Sequence, residues 1–183
     1  MIRVIPTELP GLVLLEPEVH GDARGFLVET YRREEMEGAG ITDAFMQENQ
    51  SRSGRGILRG LHFQVGSGQA KLVRVSRGAV LDVVVDIRRS SPTFGRHQAV
   101  ELDDVLHRQL YVPVGFAHGF YVTSEEADVC YRLDAPYDPA AERGIAWDDP
   151  DLQIAWPDRQ PTLSDRDRAQ PRLAEIRDEL PAW

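Results

Sequence analysis

The sequence contains very little cysteine, with Cys130 as the single example in 183 residues. One thiol cannot form an intramolecular disulfide, and it cannot supply a cysteine-rich metal site. The amino-terminal segment MIRVIPTELPGL also lacks the basic, apolar and small-residue order of a secretory signal peptide. We therefore expect a protein of the reducing cytoplasm.

Long apolar runs and an excess of positive charge are also missing. No stretch of the sequence approaches the roughly 20 apolar residues of a membrane-spanning helix, so we expect no membrane partner. The net charge is −9, from 30 acidic and 21 basic residues, which disfavours a nucleic-acid partner. We expect residues 1–183 to form a single globular domain.

Basic residues are nevertheless concentrated in one part of the chain. Between positions 52 and 77 stand Arg52, Arg55, Arg59, Lys71, Arg74 and Arg77. In an acidic protein, such a cluster favours a pocket for a small anionic ligand over a nucleic-acid track. Ordinary solvated surface charge is the alternative interpretation.

The middle of the chain consists of short runs rich in Val, Leu and Tyr, separated by glycine and turn residues. These runs predict strands at 57–65, 71–78, 79–87, 97–102, 108–115, 118–123 and 127–133. Several short strands at close spacing are typical of an all-β barrel or sandwich. Short flanking helices are predicted at 31–40 and 171–180, and the chain from about residue 157 reads as an irregular tail.

Strand alternation gives two of these runs a polar face. In LDVVVDI, Asp82 and Asp86 share a face with Val84, so this face is expected to point into a polar interior. In GILRGLHFQ, His62 and Gln64 point away from the neighbouring leucine and phenylalanine. A histidine among apolar residues is usually a hydrogen-bonded core residue, but the alternation favours a polar setting for His62.

Seven motifs in unbroken order, from about Gly21 to Asp167, carry a resemblance to a known family. They are DARGFLVE, QENQSRS, LRGLHFQ, QAKLVRVSRG, LDVVVDI with the following SSPTFG, VPVGFAHGF and LSDRD. Together they resemble the dTDP-4-dehydrorhamnose 3,5-epimerase family, whose fold is a cupin jelly roll. The resemblance implies epimerisation at C3 and C5 of dTDP-4-dehydro-6-deoxy-D-glucose to dTDP-4-dehydro-L-rhamnose, in dTDP-L-rhamnose biosynthesis and without a cofactor.

The chemistry of this reaction explains which residue types are needed. The C4 ketone acidifies the C–H bonds at C3 and C5, because loss of either proton gives an enolate with its charge on oxygen. The enzyme then needs a base, an acid on the opposite face and a positive donor near the oxygen. By resemblance, His62 is the base, Asp167 orients it, Tyr131 is the acid and Lys71 is the cation.

The resemblance also implies a set of substrate-binding residues. They are Arg24, Glu29, Gln47, Asn49, Arg59, His118, Glu142 and Arg166. Arg59 and His62 differ in strand parity, so both reach one pocket only through a bulge or twist, for which Gly60 is the natural place. Arg166 stands where the family more often has lysine, and QENQS differs from the common QDNHS. Nucleotide-base preference is therefore less firmly implied than the chemistry.

Family members are homodimers with exchanged amino-terminal strands, so the resemblance implies a homodimer in which Arg24 and Glu29 serve the partner's site. Three alternatives stay open. The enzyme inverts C3 alone, or the protein binds a sugar nucleotide without catalysis, or it is a metal-dependent cupin oxygenase. PVGFAH fits the P-x-G-x-x-H signature of metal cupins, but the H-x-H pair that usually accompanies it is missing after Leu61. Two histidines alone rarely hold iron or zinc tightly, so we expect no metal.

Overall fold

The computed structural model describes residues 2–181 and 183 of the chain. The strands are β1 Ile2–Ile5, β2 Val13–Pro17, β3 Val19–Asp22, β4 Gly25–Val28, β5 Gln47–Gly54, β6 Leu58–Gln64, β7 Lys71–Arg77, β8 Ala79–Asp86, β9 His97–Asp103, β10 Gln109–Val112, β11 Phe116–Val122, β12 Glu126–Leu133 and β13 Glu142–Gly144. The helices are α1 Arg33–Gly38, α2 Asp165–Arg168 and α3 Leu173–Ile176, the last continued by a 3₁₀ turn at Arg177–Glu179. Strands β6 to β12 and helices α1 and α3 confirm elements that were predicted from the sequence.

Two antiparallel sheets face each other in a jelly-roll sandwich, as expected. The larger sheet has the order β1-β2-β10-β7-β12-β5, and the smaller has the order β13-β6-β11-β8-β9. Strands β3 and β4 form a separate hairpin. Because most neighbouring strands within each sheet are not consecutive in sequence, the fold brings residues from many segments to one place.

Apolar side chains fill three layers of this sandwich. The central layer, between the sheets, includes Val73, Val84 and Phe120. The outer face of the larger sheet packs under α1 through Leu72 and Met36. The outer face of the smaller sheet packs against the carboxyl-terminal segment in a cluster with Leu61, Val83, Leu173 and Leu180. Helix α1 therefore covers the larger sheet and α3 covers the smaller one. Burial of these apolar side chains stabilises the attachment of both helices.

Strand β6 contains the bulge that the parity of Arg59 and His62 required. His62 pairs with His118 of β11 and Arg59 pairs with Phe120, so three residue steps on β6 match two on β11. His118 and Phe120 point to the same face of β11, because side chains alternate along a strand. The extra residue in β6 therefore brings Arg59 to the face that His62 occupies.

Two glycines allow the close approach of strands at this bulge. Gly60 has a φ of +126°, and a Cβ added there would lie 2.5 Å from Cα of Gly119. A Cβ added at Gly119 would lie 2.7 Å from the carbonyl oxygen of Arg59. Neither position accepts a side chain without displacing backbone, so the glycines are required for the site geometry.

The tail beyond residue 157 contains only short helical turns, and it is held against β6. Ile57 forms an isolated parallel bridge with Thr162, and the Leu58 N–H donates to the carbonyl of Thr162 at 3.0 Å. Ser164 then caps the single turn of α2, accepting from the N–H of Asp167. These contacts fix the position of α2 beside β6. Among the described residues, no helix is long and apolar enough to cross a membrane.

We predict that Gly60→Ala lowers the free energy of unfolding by more than Gly25→Ala does, as measured by chemical denaturation. Gly25 is the matched control because its φ is also +126°, whereas a Cβ there meets no described atom within 4 Å. Backbone strain alone costs about 1–3 kcal/mol, and only Gly60→Ala adds the clash with Gly119. Equal losses for the two variants would show that the close approach does not constrain β6.

Candidate active site

A cavity of about 630 Å³ opens between residues of both sheets and the carboxyl-terminal tail. Strand β6 contributes Arg59 and His62, β7 contributes Lys71, and the lining continues through Asn49, His118, Tyr131, Glu142, Arg166 and Asp167. This volume is typical of small-molecule sites. The fold therefore brings all four predicted catalytic residues and five of the eight predicted binding residues to a single cavity.

His62 and Asp167 form a close pair in this cavity. Nε2 of His62 lies 2.6 Å from Oδ1 of Asp167, and the Asp167 side chain is almost completely buried. Burial raises the pKa of this carboxyl, but hydrogen bonds from His62, Ser164 and the Gly60 N–H outweigh burial and leave the pKa below its usual value. The ionised carboxylate accepts a hydrogen bond from Nε2–H, which leaves Nδ1 of the ring as the basic nitrogen.

Lys71 lies next to this pair and is removed from most of the solvent. Its Nζ donates to the backbone carbonyl of His62 at 3.3 Å. Burial lowers the pKa of Lys71 to about 8, against the opposing effect of the Glu142 and Asp82 carboxylates. The ammonium is therefore charged at neutral pH and poised to lose its proton in mildly alkaline solution.

Glu142 links a tyrosine and an arginine at the cavity wall. Its carboxylate accepts from Nη1 of Arg166 at 2.6 Å and from the hydroxyl of Tyr137. Burial raises the pKa of Glu142, but the hydrogen bonds from Tyr137 and Arg166 lower it by more. The pKa therefore lies below its usual value and the group stays ionised. Arg166 is thereby fixed in the cavity by its own counter-ion.

His118 is held by a second carboxylate. Its Nε2 lies 2.8 Å and 3.0 Å from the two oxygens of Asp82, which is completely buried in β8. Asp82 thus confirms that the polar face of β8 points into the interior. Asp86, on the same face, instead accepts from Arg88, Ser91 and Thr93, away from the cavity lining.

Arg59, Gln47 and Asn49, the remaining predicted residues around the cavity, form hydrogen bonds with neighbouring side chains or backbone. Arg59 lines the cavity, and its Nε donates to Oγ of Ser53 at 3.0 Å. The amide of Gln47 donates to Oδ1 of Asn49 at 3.0 Å and accepts from the Tyr137 N–H at the same distance. Gln47 therefore borders the lining and supports Asn49, which belongs to it.

Two predicted binding residues, Arg24 and Glu29, lie outside the cavity lining of this chain. Arg24 is exposed on the β3–β4 hairpin and pairs with Asp22. Glu29 pairs with Arg32 at 3.0 Å. Both residues are thus exposed at the surface, Arg24 in the turn of the hairpin and Glu29 directly after β4.

The expectation of a six-residue basic pocket is wrong for most of its members. Arg52 forms an ion pair with Asp128, Arg74 lies 3.8 Å from Glu48, and Arg77 lies 3.3 Å from Glu126. Arg55 is exposed and also falls outside the lining. Alternation explains part of this, because Arg52 and Arg74 point to the opposite sheet face from the cavity. Of the six basic residues between positions 52 and 77, Arg59 and Lys71 line the cavity.

Several lining residues were not singled out from the sequence. They include Ser51, Gln69, Phe120, Tyr137 and Ser164. Tyr137 stands in an irregular segment without periodicity, so no pattern indicated its position. Ser51 has the same parity as Asn49, and this relation is a signal that a recognised β5 strand would have supplied.

The described residues contain no group of three or more His, Cys, Asp and Glu side chains arranged to hold a metal ion. The two cavity histidines are instead each paired with one carboxylate. This arrangement differs from the three or four protein ligands that usually surround zinc.

Comparisons with known proteins place this site in a family. Residues 6–175 match the family model described as dTDP-4-dehydrorhamnose 3,5-epimerase. The enzyme of that name from Shigella flexneri is 48% identical over 168 residues, covering 91% of this chain and 93% of the relative. The dTDP-4-dehydrorhamnose 3-epimerase of Streptomyces niveus is 44% identical over 179 residues, covering 97% and 86%.

A solved structure agrees with this assignment. The dTDP-6-deoxy-D-glucose-3,5-epimerase of Legionella pneumophila, in complex with dTDP-4-keto-L-rhamnose, superposes with a TM-score of 0.96 at 45% identity. The match covers 100% of this chain and 99% of that one. With the jelly roll and the paired histidine in its cavity, the chain therefore belongs to the dTDP-4-dehydrorhamnose 3,5-epimerase family.

Proposed function

We propose that this protein converts dTDP-4-dehydro-6-deoxy-D-glucose to dTDP-4-dehydro-L-rhamnose by inverting C3 and C5, as a step of dTDP-L-rhamnose biosynthesis. The observation that carries the proposal is the His62–Asp167 pair in a cavity that Tyr131 and Lys71 also line. Each inversion removes one proton and adds one at the same carbon. The substrate is neither oxidised nor reduced, so the reaction requires no redox cofactor.

The base is His62, acting through Nδ1 because its Nε2–H donates a hydrogen bond to Asp167. Asp167 fixes the ring tautomer and stabilises the imidazolium that forms when the ring takes a proton from carbon. Tyr131 supplies the new proton. His62 stands on β6 of the smaller sheet and Tyr131 on β12 of the larger sheet, so the two groups approach a ligand from opposite walls.

The enolate oxygen needs a positive partner, and Lys71 is the candidate. It lies on β7, directly beside β12, and its ammonium is within 3.3 Å of the His62 carbonyl. A preorganised charge at a developing oxyanion contributes on the order of 3 kcal/mol to lowering a barrier. We assign the diphosphate to Arg59 and Arg166, since guanidinium groups bind phosphate oxygens in bidentate fashion.

A 3-epimerase that leaves C5 unchanged is the second candidate. The Streptomyces niveus relative, which is named a 3-epimerase, supports it at 44% identity. The proton-transfer machinery is the same in both cases. The position of isotope incorporation separates them.

Turnover in D₂O tests these assignments. We expect the parent enzyme to place deuterium at both C3 and C5, and a 3-epimerase to place it at C3 alone. His62→Ala is expected to abolish exchange and epimerisation together, because removal of a general base costs about 10²-fold or more. Tyr131→Phe keeps the base, so it should still incorporate deuterium but with retained or mixed configuration. Mass spectrometry and proton NMR of the recovered sugar measure both quantities.

The result that contradicts this scheme is a His62→Ala enzyme that exchanges at the parental rate. The base would then be another group of the cavity, and His62 would be a hydrogen-bonded structural residue. Asp167→Asn is the intermediate variant, because it keeps the shape of the pair and weakens only its acceptor.

The pKa of Lys71 predicts an alkaline limit to activity. Its charged form is the protonated one, so kcat/KM should fall as pH rises through about 8. Lys71→Arg keeps a positive charge throughout this range, and its profile should lose that limb even if its maximum is lower. Rates measured from about pH 6 to about pH 10 provide the test. An unchanged limb in Lys71→Arg would assign it to a different group.

We also propose that the functional unit is a homodimer that exchanges its β3–β4 hairpins. Phe26 and Leu27 on the hairpin, with Val105 and Leu106 near it, are large apolar side chains exposed on this chain. Such a patch is typical of an interaction surface. A partner seated there would bring Arg24 and Glu29 of one chain toward the cavity of the other.

Mixing inactive variants tests this exchange. In a dimer of an Arg24→Ala chain with a His62→Ala chain, one site is intact because its His62 and its partner-derived Arg24 are both native. Half of randomly mixed dimers are of this kind, so about one quarter of parental activity should return. A mixture of His62→Ala with Asp167→Asn is the control and should show no more activity than the two variants measured separately, because both residues belong to the same site of one chain. Absence of recovery in the first mixture would place Arg24 outside the partner's site.

We propose a cytoplasmic location and a single functional domain over residues 1–183. The buried free thiol of Cys130 suits a reducing compartment. The tail cannot be separated from the rest of the domain in this scheme, because it supplies Asp167 and Arg166 to the cavity.

A further inference from the structure

The cavity contains a second histidine–carboxylate pair that takes no part in the proposed proton transfers. His118 of β11 stands directly opposite His62 of β6, and both line the cavity. Asp82 of β8 stands opposite Phe120, two residues along from His118, so it shares the inward face. Three neighbouring strands thus carry Asp82, His118 and His62 toward the same space.

The contacts of Asp82 restrict the state of the His118 ring. Both carboxylate oxygens lie within 3.0 Å of Nε2, and the Asp82 side chain has no exposed surface. An ionised carboxylate only accepts hydrogen bonds, so Nε2 carries a proton. Burying a carboxylate without a donor is unfavourable, so Asp82 and His118 hold each other in place. Nδ1 is the ring nitrogen that remains for a ligand.

We propose that Asp82 is a positioning residue for the epimerase reaction, which fixes the tautomer and orientation of His118 so that Nδ1 contacts the hexose. The inference rests on the proposed function, because it assumes that a dTDP-hexose occupies the cavity. Nothing in the arrangement gives Asp82 access to the substrate itself. Its effect is therefore transmitted through His118 and concerns the sugar half of the ligand, not the nucleotide half.

Asp86 provides a matched control for Asp82. It stands four residues along the same strand, on the same face, and is equally buried. Its oxygens accept from Arg88, Ser91 and Thr93 instead of from a cavity residue. A general effect of removing a buried charge from β8 should appear in both Asp82→Asn and Asp86→Asn, whereas positioning of His118 concerns Asp82 alone.

Kinetics and nucleotide binding give the first test. We expect Asp82→Asn to lower kcat/KM by roughly 10-fold or more, the effect of losing one oriented polar contact, while calorimetric affinity for dTDP alone stays parental. Asp86→Asn should keep kcat/KM within about 3-fold of the parent, a difference well below the cost of such a contact. Parental kcat/KM in Asp82→Asn and Asp82→Ala would overturn the proposal, as would equal losses for the Asp82 and Asp86 variants.

A double-mutant cycle tests the route of the effect. In a His118→Ala background, Asp82→Asn should cause little further loss, because the side chain through which it acts is gone. Asp82 also favours the charged form of Lys71, and an effect through that ammonium would persist in this background. Full additivity of the two changes therefore overturns the proposal.

A measurement on the unmodified protein covers the case in which the Asp82 variants do not fold. Nitrogen-15 shifts of the His118 ring should show a protonated Nε2, and the Nδ1 signal should move with dTDP-glucose, which has no C4 ketone and does not react, but not with dTDP. An unprotonated Nε2, or an Nδ1 that ignores the hexose, would refute the assignment. Failure of the epimerase proposal is a separate result, since the parent enzyme would then show no turnover at all.

Discussion

The hydrogen bond between His62 and the buried carboxylate of Asp167 joins residues 105 positions apart, and the organisation of the cavity depends on it. A carboxylate that is almost fully buried is stable only when donors surround it. For Asp167 these donors are the His62 imidazole, the Ser164 hydroxyl at the start of α2 and the Gly60 N–H. The hydrogen bond that orients the His62 ring is thus also one of the contacts that attach the tail to the sandwich. A loss of tail packing should therefore disturb the proposed base.

The two facing sheets place polar side chains on opposite sides of the cavity, as inversion at carbon requires. Inversion at carbon needs proton transfer on both faces of a ring, so a base and an acid must stand on opposite sides of one space. A sandwich provides two walls with separate sequences. The smaller sheet carries His62 and His118, while the larger sheet carries Lys71 and Tyr131. Because each wall is hydrogen-bonded across several strands, the separation of the groups is set by the fold and not by the side chains alone.

Residue patterns predicted the strands that contain several apolar residues, including those that line the cavity, but they failed for β5, whose inner face is polar. Strands β6 to β12 follow the predicted runs closely. Strand β5, QENQSRSG, was missed because the residues that would mark its inner face are polar and line or border the cavity, as Asn49 and Ser51 do. The bulge at Gly60 was expected only because Arg59 and His62 had incompatible parity. The pairing of Arg52 with Asp128 depends on strand register, which the sequence does not specify locally.

The two histidines show why residue type alone did not assign the chemistry. Each uses Nε2 to bind a carboxylate, but the His62 side chain is 25% exposed and that of His118 only 8%. The carboxylate of His62 comes from the tail, whereas that of His118 comes from the adjacent strand and is fixed by the sheet register. The proposed roles follow this difference: the more exposed ring is assigned to proton transfer and the more enclosed ring to holding the ligand. The two pairs have the same chemical composition, so the difference in exposure arises only when β6, β8, β11 and the tail come together.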